Sequence, residues 1–420
     1  MRVAPLTVAA ALLALGAADP TTRVAPDRPA AKRPATVLAI LSAGTSGSEL
    51  ARLHRGSLKP VRGRRVALGR SPGAWAFSPD GKRLAIGVEG ALGVRIVDVT
   101  RMRTVGEVKT RNGQIHAAAW LAPRRIVGVE ETGLFAIDPV ARRLVRSEPL
   151  DQYPVGVGRT KDALVMLLAP RDEIGAARLA LVDAEGLMRS VVLDRIVTGS
   201  RHPTEADAPP GESWRPGLAV DVAGDRAFVV GSGAPIAEVD LASLAVRYHD
   251  TAQPASLLGR LRDWLEPRAQ AKGPVAGGWR TARRLGRGLL AFSGEDGRVT
   301  GPGTVEMTAA GVTLVDTTSW RVRKLVDRAN GFVVAADTLL ATLHDPFDDG
   351  PGIGLRGFTR DGSSRFHLFG EQQVGLVGSL DDRVFADAIG GTRVVEARSG
   401  RVSRWLGDVP YVLVGSMRRY

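Results

Sequence analysis

The chain has 420 residues, of which 44% are hydrophobic and 5% aromatic, so it can bury a large core but is too poor in aromatic residues for a base-stacking platform. It contains no cysteine, which excludes disulfides, thiol catalysis and Cys-ligated zinc. The formal net charge is +13. The cations are nearly all Arg and are spread along a chain rich in Gly and Ala, a combination typical of coding bias in a GC-rich bacterium. We therefore predict no specific nucleic-acid partner.

The N-terminal segment has the layout of a secretory signal. Arg2 precedes an apolar run over Val8–Leu15, and small residues follow that suit cleavage after Ala18. Because this run is shorter than the roughly 20 residues of a membrane span, we predict a signal peptide over residues 1–18 and no transmembrane span in the mature chain. Residues 19–35 are rich in Pro, Ala and Arg without a period, which predicts a disordered spacer.

Ordered structure is expected from Val37 onward. The segment Ala74–Lys109 contains four short apolar runs separated by tight polar turns. In the first turn, Ser78–Lys82, Pro presets φ, Asp bonds its own backbone and Gly takes a position of positive φ. Four short strands with no helical segment between them predict an antiparallel meander.

One hairpin pattern recurs along the chain: an apolar run ending in Asp, a polar turn and a second apolar run. It occurs at Val94–Val108, Leu134–Pro149, Leu179–Leu193, Ile236–Tyr248 and Val312–Val326. Degenerate copies occur at Leu50–Val61, where His54 replaces the Asp, at Leu355–Phe369 and at Thr392–Leu406. A hairpin that cannot bury both faces alone must stack against its copies, so the repeat indicates the fold. We interpret the recurring Asp as a turn cap rather than a metal ligand, since it repeats with the hairpin in five copies, whereas a site residue should be singular.

The segment Phe77–Ala85 (Phe-Ser-Pro-Asp-Gly-Lys-Arg-Leu-Ala) resembles the PD40/YVTN class of WD40-like repeats of bacterial exported proteins. The Trp-Asp ending of true WD40 blades is absent, so the resemblance concerns the architecture and no functional subfamily. It implies an all-β propeller of four-stranded antiparallel blades. The repeats count eight, whereas seven is usual for the family, and both numbers stay open.

Only one strand, Val37–Leu41, precedes the first hairpin, and an unpaired strand, Val409–Val414, ends the chain. Pairing these two strands in one blade would remove the free edge of an open sheet. We therefore predict a single propeller domain over residues 36–420, closed by its N- and C-terminal strands.

The turns after the first and third strands of each blade are short, whereas the long insertions follow second strands or join blades. Such insertions should gather on one face, around the channel mouth, and form a binding surface. The insertion Thr251–Gly278 contains an amphipathic pattern that predicts a short helix near residues 255–266. The other insertions are Pro170–Ala177, Thr198–Pro216, Gly294–Gly311 and His344–Gly354.

Two of these insertions carry the residues expected to contact a ligand: His202, Trp214, His344 and Asp345. An aromatic anchor with convergent polar groups is what a concave site needs. The acidic cluster that begins at His344 matches no EF-hand or zinc spacing, so we predict no metal site. No P-loop, dinucleotide fingerprint or nucleophile elbow is present, and we predict no catalytic residue and no cofactor.

For function, the sequence favours an exported, non-catalytic, monomeric propeller that binds a protein or a cell-envelope polymer through its long insertions. The alternative is a propeller enzyme, either a lactonase-like hydrolase or a quinoprotein-type dehydrogenase, with a metal or cofactor at the channel mouth. Such an enzyme needs His or carboxylate ligands converging from different blades. The predicted innermost strands offer mostly small apolar residues instead.

Overall fold

The computed structural model describes residues 35–42, 47–69, 72–88, 93–111, 113–122, 125–201, 211–250, 275–286, 288–301, 304–344, 351–407 and 411–415. Within these ranges the chain forms 34 β-strands and no helix, which confirms the predicted all-β class. None of the described segments is therefore a helix able to cross a bilayer. The predicted signal peptide, the spacer up to residue 34 and the predicted helix near 255–266 lie outside the described residues.

The described residues form two compact units, one comprising the chain up to Glu148 with the C-terminal strand and the other Pro149–Val409. The first unit contains three four-stranded antiparallel sheets. The first sheet has the order β3-β2-β1-β34 and consists of β1 (Thr36–Ser42), β2 (Ser48–His54), β3 (Val66–Gly69) and β34 (Tyr411–Gly415). The second consists of β4 (Pro72–Phe77), β5 (Arg83–Val88), β6 (Gly93–Asp98) and β7 (Arg103–Lys109) in sequence order. The third consists of β8 (Ile115–Ala122), β9 (Arg125–Glu130), β10 (Gly133–Asp138) and β11 (Arg143–Pro149).

The last strand of the chain lies in the first sheet. Strand β34 runs antiparallel to β1, with Leu413 opposite Ala39 and Tyr411 opposite Leu41. The prediction that the N- and C-terminal strands share one blade is confirmed. The first blade differs from the prediction in its outer strand, because Leu58–Val61 makes only one bridge, between Leu53 and Pro60, and the outer strand is β3.

The second unit contains three further four-stranded sheets, each a sequential antiparallel meander. The first consists of β17 (Gly217–Asp221), β18 (Arg226–Val230), β19 (Ile236–Asp240) and β20 (Val246–His249). The second consists of β26 (Gly331–Ala335), β27 (Thr338–Thr342), β28 (Leu355–Thr359) and β29 (Ser364–Leu368). The third consists of β30 (Gly375–Leu380), β31 (Arg383–Ala388), β32 (Gly391–Glu396) and β33 (Val402–Gly407).

The remaining ten strands form one mixed sheet with the order β12-β13-β14-β15-β16-β21-β22-β24-β25, and β23 pairs with β22 beside this path. Its strands are β12 (Gln152–Arg159), β13 (Leu164–Pro170), β14 (Ile174–Val182), β15 (Met188–Arg201), β16 (Glu212–Arg215), β21 (Val275–Gly286), β22 (Leu289–Gly301), β23 (Thr304–Ala309), β24 (Val312–Asp316) and β25 (Val322–Val326). The four-stranded sheets are the blades of a β-propeller.

The predicted blade number is wrong. Six separate four-stranded blades are observed in the described ranges, rather than eight or seven. The hairpins Leu179–Leu193 and Val312–Val326, predicted as two blades, both lie in the ten-stranded sheet. They are joined because β15, β21 and β22 have 14, 12 and 13 residues, longer than a blade needs, and β16 pairs with both β15 and β21.

The recurring Asp residues cap their turns, as predicted. The Oδ1 atom of Asp98 accepts hydrogen bonds from the backbone N–H groups of Thr100 and Arg101, at 2.9 and 3.0 Å. The Oδ1 atom of Asp316 accepts from the N–H groups of Thr318 and Ser319, at 2.8 and 2.9 Å. These bonds satisfy backbone donors that the hairpin itself leaves without a ladder partner.

The hairpin turns also share an unusual backbone conformation. The residue four positions after the Asp has positive φ in four copies, and Leu58, four positions after His54, has φ 56°. The degenerate first copy therefore keeps the turn geometry without the Asp. The four other residues are Met102, Arg142, Leu244 and Trp320, with φ between 49° and 61°.

The hydrophobic core lies between neighbouring sheets. In the first unit, Ile96 of one sheet packs in a cluster with Trp120 and Phe135 of the next. In the second unit, Leu314 of the ten-stranded sheet shares a cluster with Leu339 of the β26–β29 sheet. Stacking of this kind buries both faces of each sheet, as the repeat predicts.

Candidate binding surface on the extended sheet

The second unit carries strands that a four-stranded blade does not require. We call them the extension, and define it as residues 199–201 of β15, all of β16, residues 275–280 of β21, residues 293–301 of β22 and all of β23. The insertions Thr198–Pro216 and Gly294–Gly311, predicted as loops, are thus largely strands where they are described. The prediction of irregular loops there is wrong.

The pairing of β16 holds the extension together. Trp214 lies opposite Gly199 of antiparallel β15 and opposite Gly278 of parallel β21. Thr198 also donates a side-chain hydrogen bond of 3.1 Å to the carbonyl oxygen of Trp214. Strand β16 is therefore bonded along both edges.

Two glycines allow the extension to leave the blade. Gly277 has φ 139°, and a Cβ atom there would lie 2.1 Å from the carbonyl oxygen of Ser213. Gly294 has φ 154°, and a Cβ atom there would lie 1.8 Å from the carbonyl oxygen of Trp279. Both positions combine a close backbone approach with a conformation that L side chains rarely adopt.

A buried arginine links β21 to β22. The Nη2 atom of Arg280 donates to both carboxylate oxygens of Asp296, at 2.8 and 2.9 Å. Its Nη1 atom donates to the carbonyl oxygens of Trp279 and Glu295, at 3.0 and 2.9 Å. The Arg280 side chain is only 7% exposed, whereas Asp296 is 42% exposed, so the guanidinium is buried between the strands and its charge-assisted bonds tie β21 to β22.

A hydrogen-bonded chain connects the extension to the neighbouring β26–β29 sheet. The indole Nε1 of Trp279 donates to Glu295 at 2.8 Å, and the other carboxylate oxygen of Glu295 accepts from the amide of Asn330. Asn330 is buried and also donates to the carbonyl oxygen of His344 at 2.7 Å, while its Oδ1 accepts from the His344 N–H at 3.1 Å. The network positions the backbone of His344 and leaves its imidazole exposed against Gly375.

Two of the four predicted contact residues are therefore placed in one region of the second unit. Trp214 is half-buried in β16. The next residue of this strand, Arg215, lies opposite Trp279 of β21. His344 ends the chain of hydrogen bonds that begins at Trp279. The other two predicted residues, His202 and Asp345, lie outside the described residues.

Sequence reasoning missed the residues that build the surface: Trp279, Arg280, Glu295, Asp296 and Asn330. Glu295 and Asp296 belong to the predicted insertion Gly294–Gly311, and Trp279 and Arg280 directly follow the predicted insertion Thr251–Gly278. A usable signal is the match between the pairs Trp279-Arg280 and Glu295-Asp296. Trp279 lies directly opposite Glu295, and Arg280 lies diagonally across from Asp296 on the other face of the hairpin. Asn330 gives no local signal, because its partners are distant in sequence.

A second polar cluster lies at the short turns of the second unit. Asp221 accepts from buried Arg284 at 2.6 Å, and Glu238 accepts from Arg226 at 2.7 Å and lies 2.9 Å from the His249 imidazole. Each carboxylate is already engaged by a cation or an imidazole, so the cluster reads as a structural network between sheets. In the described part of the chain, no three His, Asp or Glu residues are grouped so that they could hold a metal ion.

No family model matches the chain, and no curated protein is similar to it in sequence. Two solved structures illustrate what the chain matches in structure. Dihydro-heme d1 dehydrogenase NirN in complex with DHE has a TM-score of 0.57 at 12% identity, over 92% of this chain and 76% of that one. BamB from Moraxella catarrhalis has a TM-score of 0.47 at 11% identity, over 84% and 89%. The likeness to NirN supports the fold alone.

Proposed function

We propose that the protein is an exported, non-catalytic β-propeller of the PD40/YVTN class that binds a protein or a cell-envelope polymer through the extension. The observation that carries the proposal is the extension itself. It adds strands that blade formation does not need, and length inserted between the repeats of a fold often forms its binding face.

The chemistry of the extension supports binding over catalysis. The charged groups described above, Arg280, Glu295 and Asp296, are all used in hydrogen bonds that hold strands together. A general acid or base needs a group free to exchange a proton with a substrate. A pre-organised surface with Trp side chains, by contrast, loses little conformational entropy when a partner docks.

The test shortens the extension and keeps the part where β21 and β22 are joined by the side chains of Trp279, Arg280, Glu295 and Asp296. Replacing residues 297–307 by Asn-Gly joins Asp296 to Thr308 through a two-residue hairpin turn, because these two residues are paired in the native register. The Arg280–Asp296 and Trp279–Glu295 bonds remain, so we expect an almost unchanged melting temperature. We expect co-sedimentation with purified cell walls, or capture of envelope proteins, to be abolished.

The control is a triple alanine variant of the short turns at Asp80, Arg101 and Arg142. It should bind as the native chain does. Binding that survives the shortening but is lost in this control would place the site on the short turns. Purified protein that contains stoichiometric metal or quinone and turns over a lactonase or dehydrogenase substrate would overturn the non-catalytic assignment. Protein isolated from the producing cells that still retains residues 1–18 would overturn export.

A further inference from the structure

Strand β23 has an edge that no other strand of the described chain covers. Among the described strands it pairs only with β22, from Glu295 opposite Ala309 to Gly301 opposite Thr304. Its consecutive residues Glu306, Met307 and Thr308 are all exposed. Since successive side chains of a strand point to opposite faces, exposure of all three places the strand at the solvent boundary of the sheet.

This edge has little of the protection that is usual for an edge strand, because its one charged side chain is Glu306. Natural edges carry Lys, Arg, Pro or inward-pointing charges that discourage a further strand. Six outer strands, β7, β11, β20, β25, β29 and β33, each contain at least one Arg, whereas the four-residue outer strand β3 (Val-Ala-Leu-Gly) contains no cation. Strand β23, with the sequence Thr-Val-Glu-Met-Thr-Ala, contains no cation and no Pro.

One face of β23 is apolar. A Cβ atom on Gly297 would lie 2.9 Å from the sulfur of Met307 and 3.3 Å from Cγ1 of Val305, so both side chains lie over this glycine. Met307 remains 46% exposed. A strand added to the edge would cover Met307 with an apolar residue at the facing position.

We propose that the free edge of β23 binds an extended segment of a partner protein by strand addition. The main-chain groups of β23 supply affinity, and the row formed by Val305 and Met307 selects apolar residues at alternate positions of the partner. The net charge of +13, which belongs to the chain as a whole, favours a partner segment with net negative charge and opposes a second copy of this chain. At the edge itself, the exposed Glu306 favours a neutral or basic residue at the facing position of that segment. This inference rests on the proposed binding function of the extension and names its partner class.

The experiment selects peptides from a random linear display library with the full-length protein, after depletion on a Met307→Lys variant. The variant adds the natural protective residue to the edge. Selected peptides are then synthesised, with and without N-methylation of alternate amides, and their affinity is measured by fluorescence anisotropy. A Val140→Lys variant is the matched control, because Val140 is exposed in a turn of the first unit.

We expect acidic peptides with alternating apolar residues, which bind the native chain and Val140→Lys equally. Binding should weaken by about tenfold or more on Met307→Lys or on N-methylation, because both block the added strand. Hydrogen exchange at residues 304–309 should slow when peptide binds. The inference would be overturned if the selected peptides bound Met307→Lys as tightly as the native chain, or if the selection gave no peptide. It would also be overturned if the native protein were a dimer and the Met307→Lys variant were not. If the shortened extension loses envelope binding while Met307→Lys keeps it, the proposed function stands and the strand addition fails.

Discussion

At the scale of single residues, the turn aspartates connect sequence to stability. Hydrogen bonds from the turns, above all the N–H of Ser319, hold the pKa of Asp316 below its ordinary value. The same holds for Asp98, Asp138 and Asp240, which cap equivalent turns. Each turn requires a non-Gly residue at positive φ, and the capping bonds offset that conformational cost.

This lowered pKa predicts a pH dependence. A carboxylate with a depressed folded-state pKa stabilises the fold fully above its unfolded pKa, and this stabilisation is lost as pH falls through the folded value. We expect Asp316→Asn to melt a few degrees lower than the native chain at pH 7. The gap should shrink below about pH 4, because a protonated Asp resembles Asn.

The control for this prediction is Asp327→Asn, which removes an exposed carboxylate that caps no turn and only pairs with Lys324 at 3.4 Å. Its melting curve should follow the native one from pH 7 to pH 3 within about one degree. A constant gap for Asp316→Asn across that range would contradict the capping role.

The arginines, which the sequence presents only as a compositional bias, have a structural use. Arg52 donates to the carbonyl oxygens of Val99 and Thr100 in the turn of the next sheet, at 2.5 and 2.7 Å. Arg323 donates to the carbonyl oxygens of Asp361 and Gly362, at 2.7 and 3.2 Å. A guanidinium can reach two carbonyls at once, which an ammonium group does less well.

At the scale of elements, the sequence predicted the hairpins and missed the extension. The hairpins are local, because Asp98 and its turn partners lie within three residues of each other, and a short sequence window is enough to recognise them. The parallel pairing of Ser213 with Gly277 joins residues far apart in sequence, and no local pattern specifies it. The blade count failed because these distant pairings join the hairpins Leu179–Leu193 and Val312–Val326 in one sheet.

The glycine at the base of the extension gives a prediction for this scale. Gly294→Ala forces a Cβ atom against the Trp279 carbonyl at a φ that alanine avoids, so we expect a loss of about 2 kcal/mol or more. Hydrogen exchange should accelerate at residues 293–301 but not at residues 289–292, which pair with β24.

Gly331→Ala is the matched control, because the nearest atom to a Cβ there is a methyl group of Thr342 at 3.8 Å. It should melt within about one degree of the native chain. If Gly294→Ala and Gly331→Ala lowered the melting temperature equally, the close contact at Gly294 would not be what destabilises the extension.

At the scale of the whole molecule, the predicted pairing of the chain ends is the feature with the largest consequence. Strand β1 contains Val37, Leu38 and Ala39, all fully buried, and β34 covers its edge. Without β34, the backbone groups of β1 that bond to it would face water, and the sheet would become a free-edged three-stranded sheet.

Deleting residues 408–420 should therefore lower the melting temperature by about 5–10 °C or abolish the cooperative transition, as measured by calorimetry. The effect arises in the first unit, so hydrogen exchange should accelerate first in β1 and β2. Deleting only residues 416–420, beyond the end of β34, is the matched control and should leave the transition unchanged. If the longer deletion melts at the native temperature, the pairing of Ala39 with Leu413 contributes nothing to stability, and closure by the chain ends is not what holds this sheet.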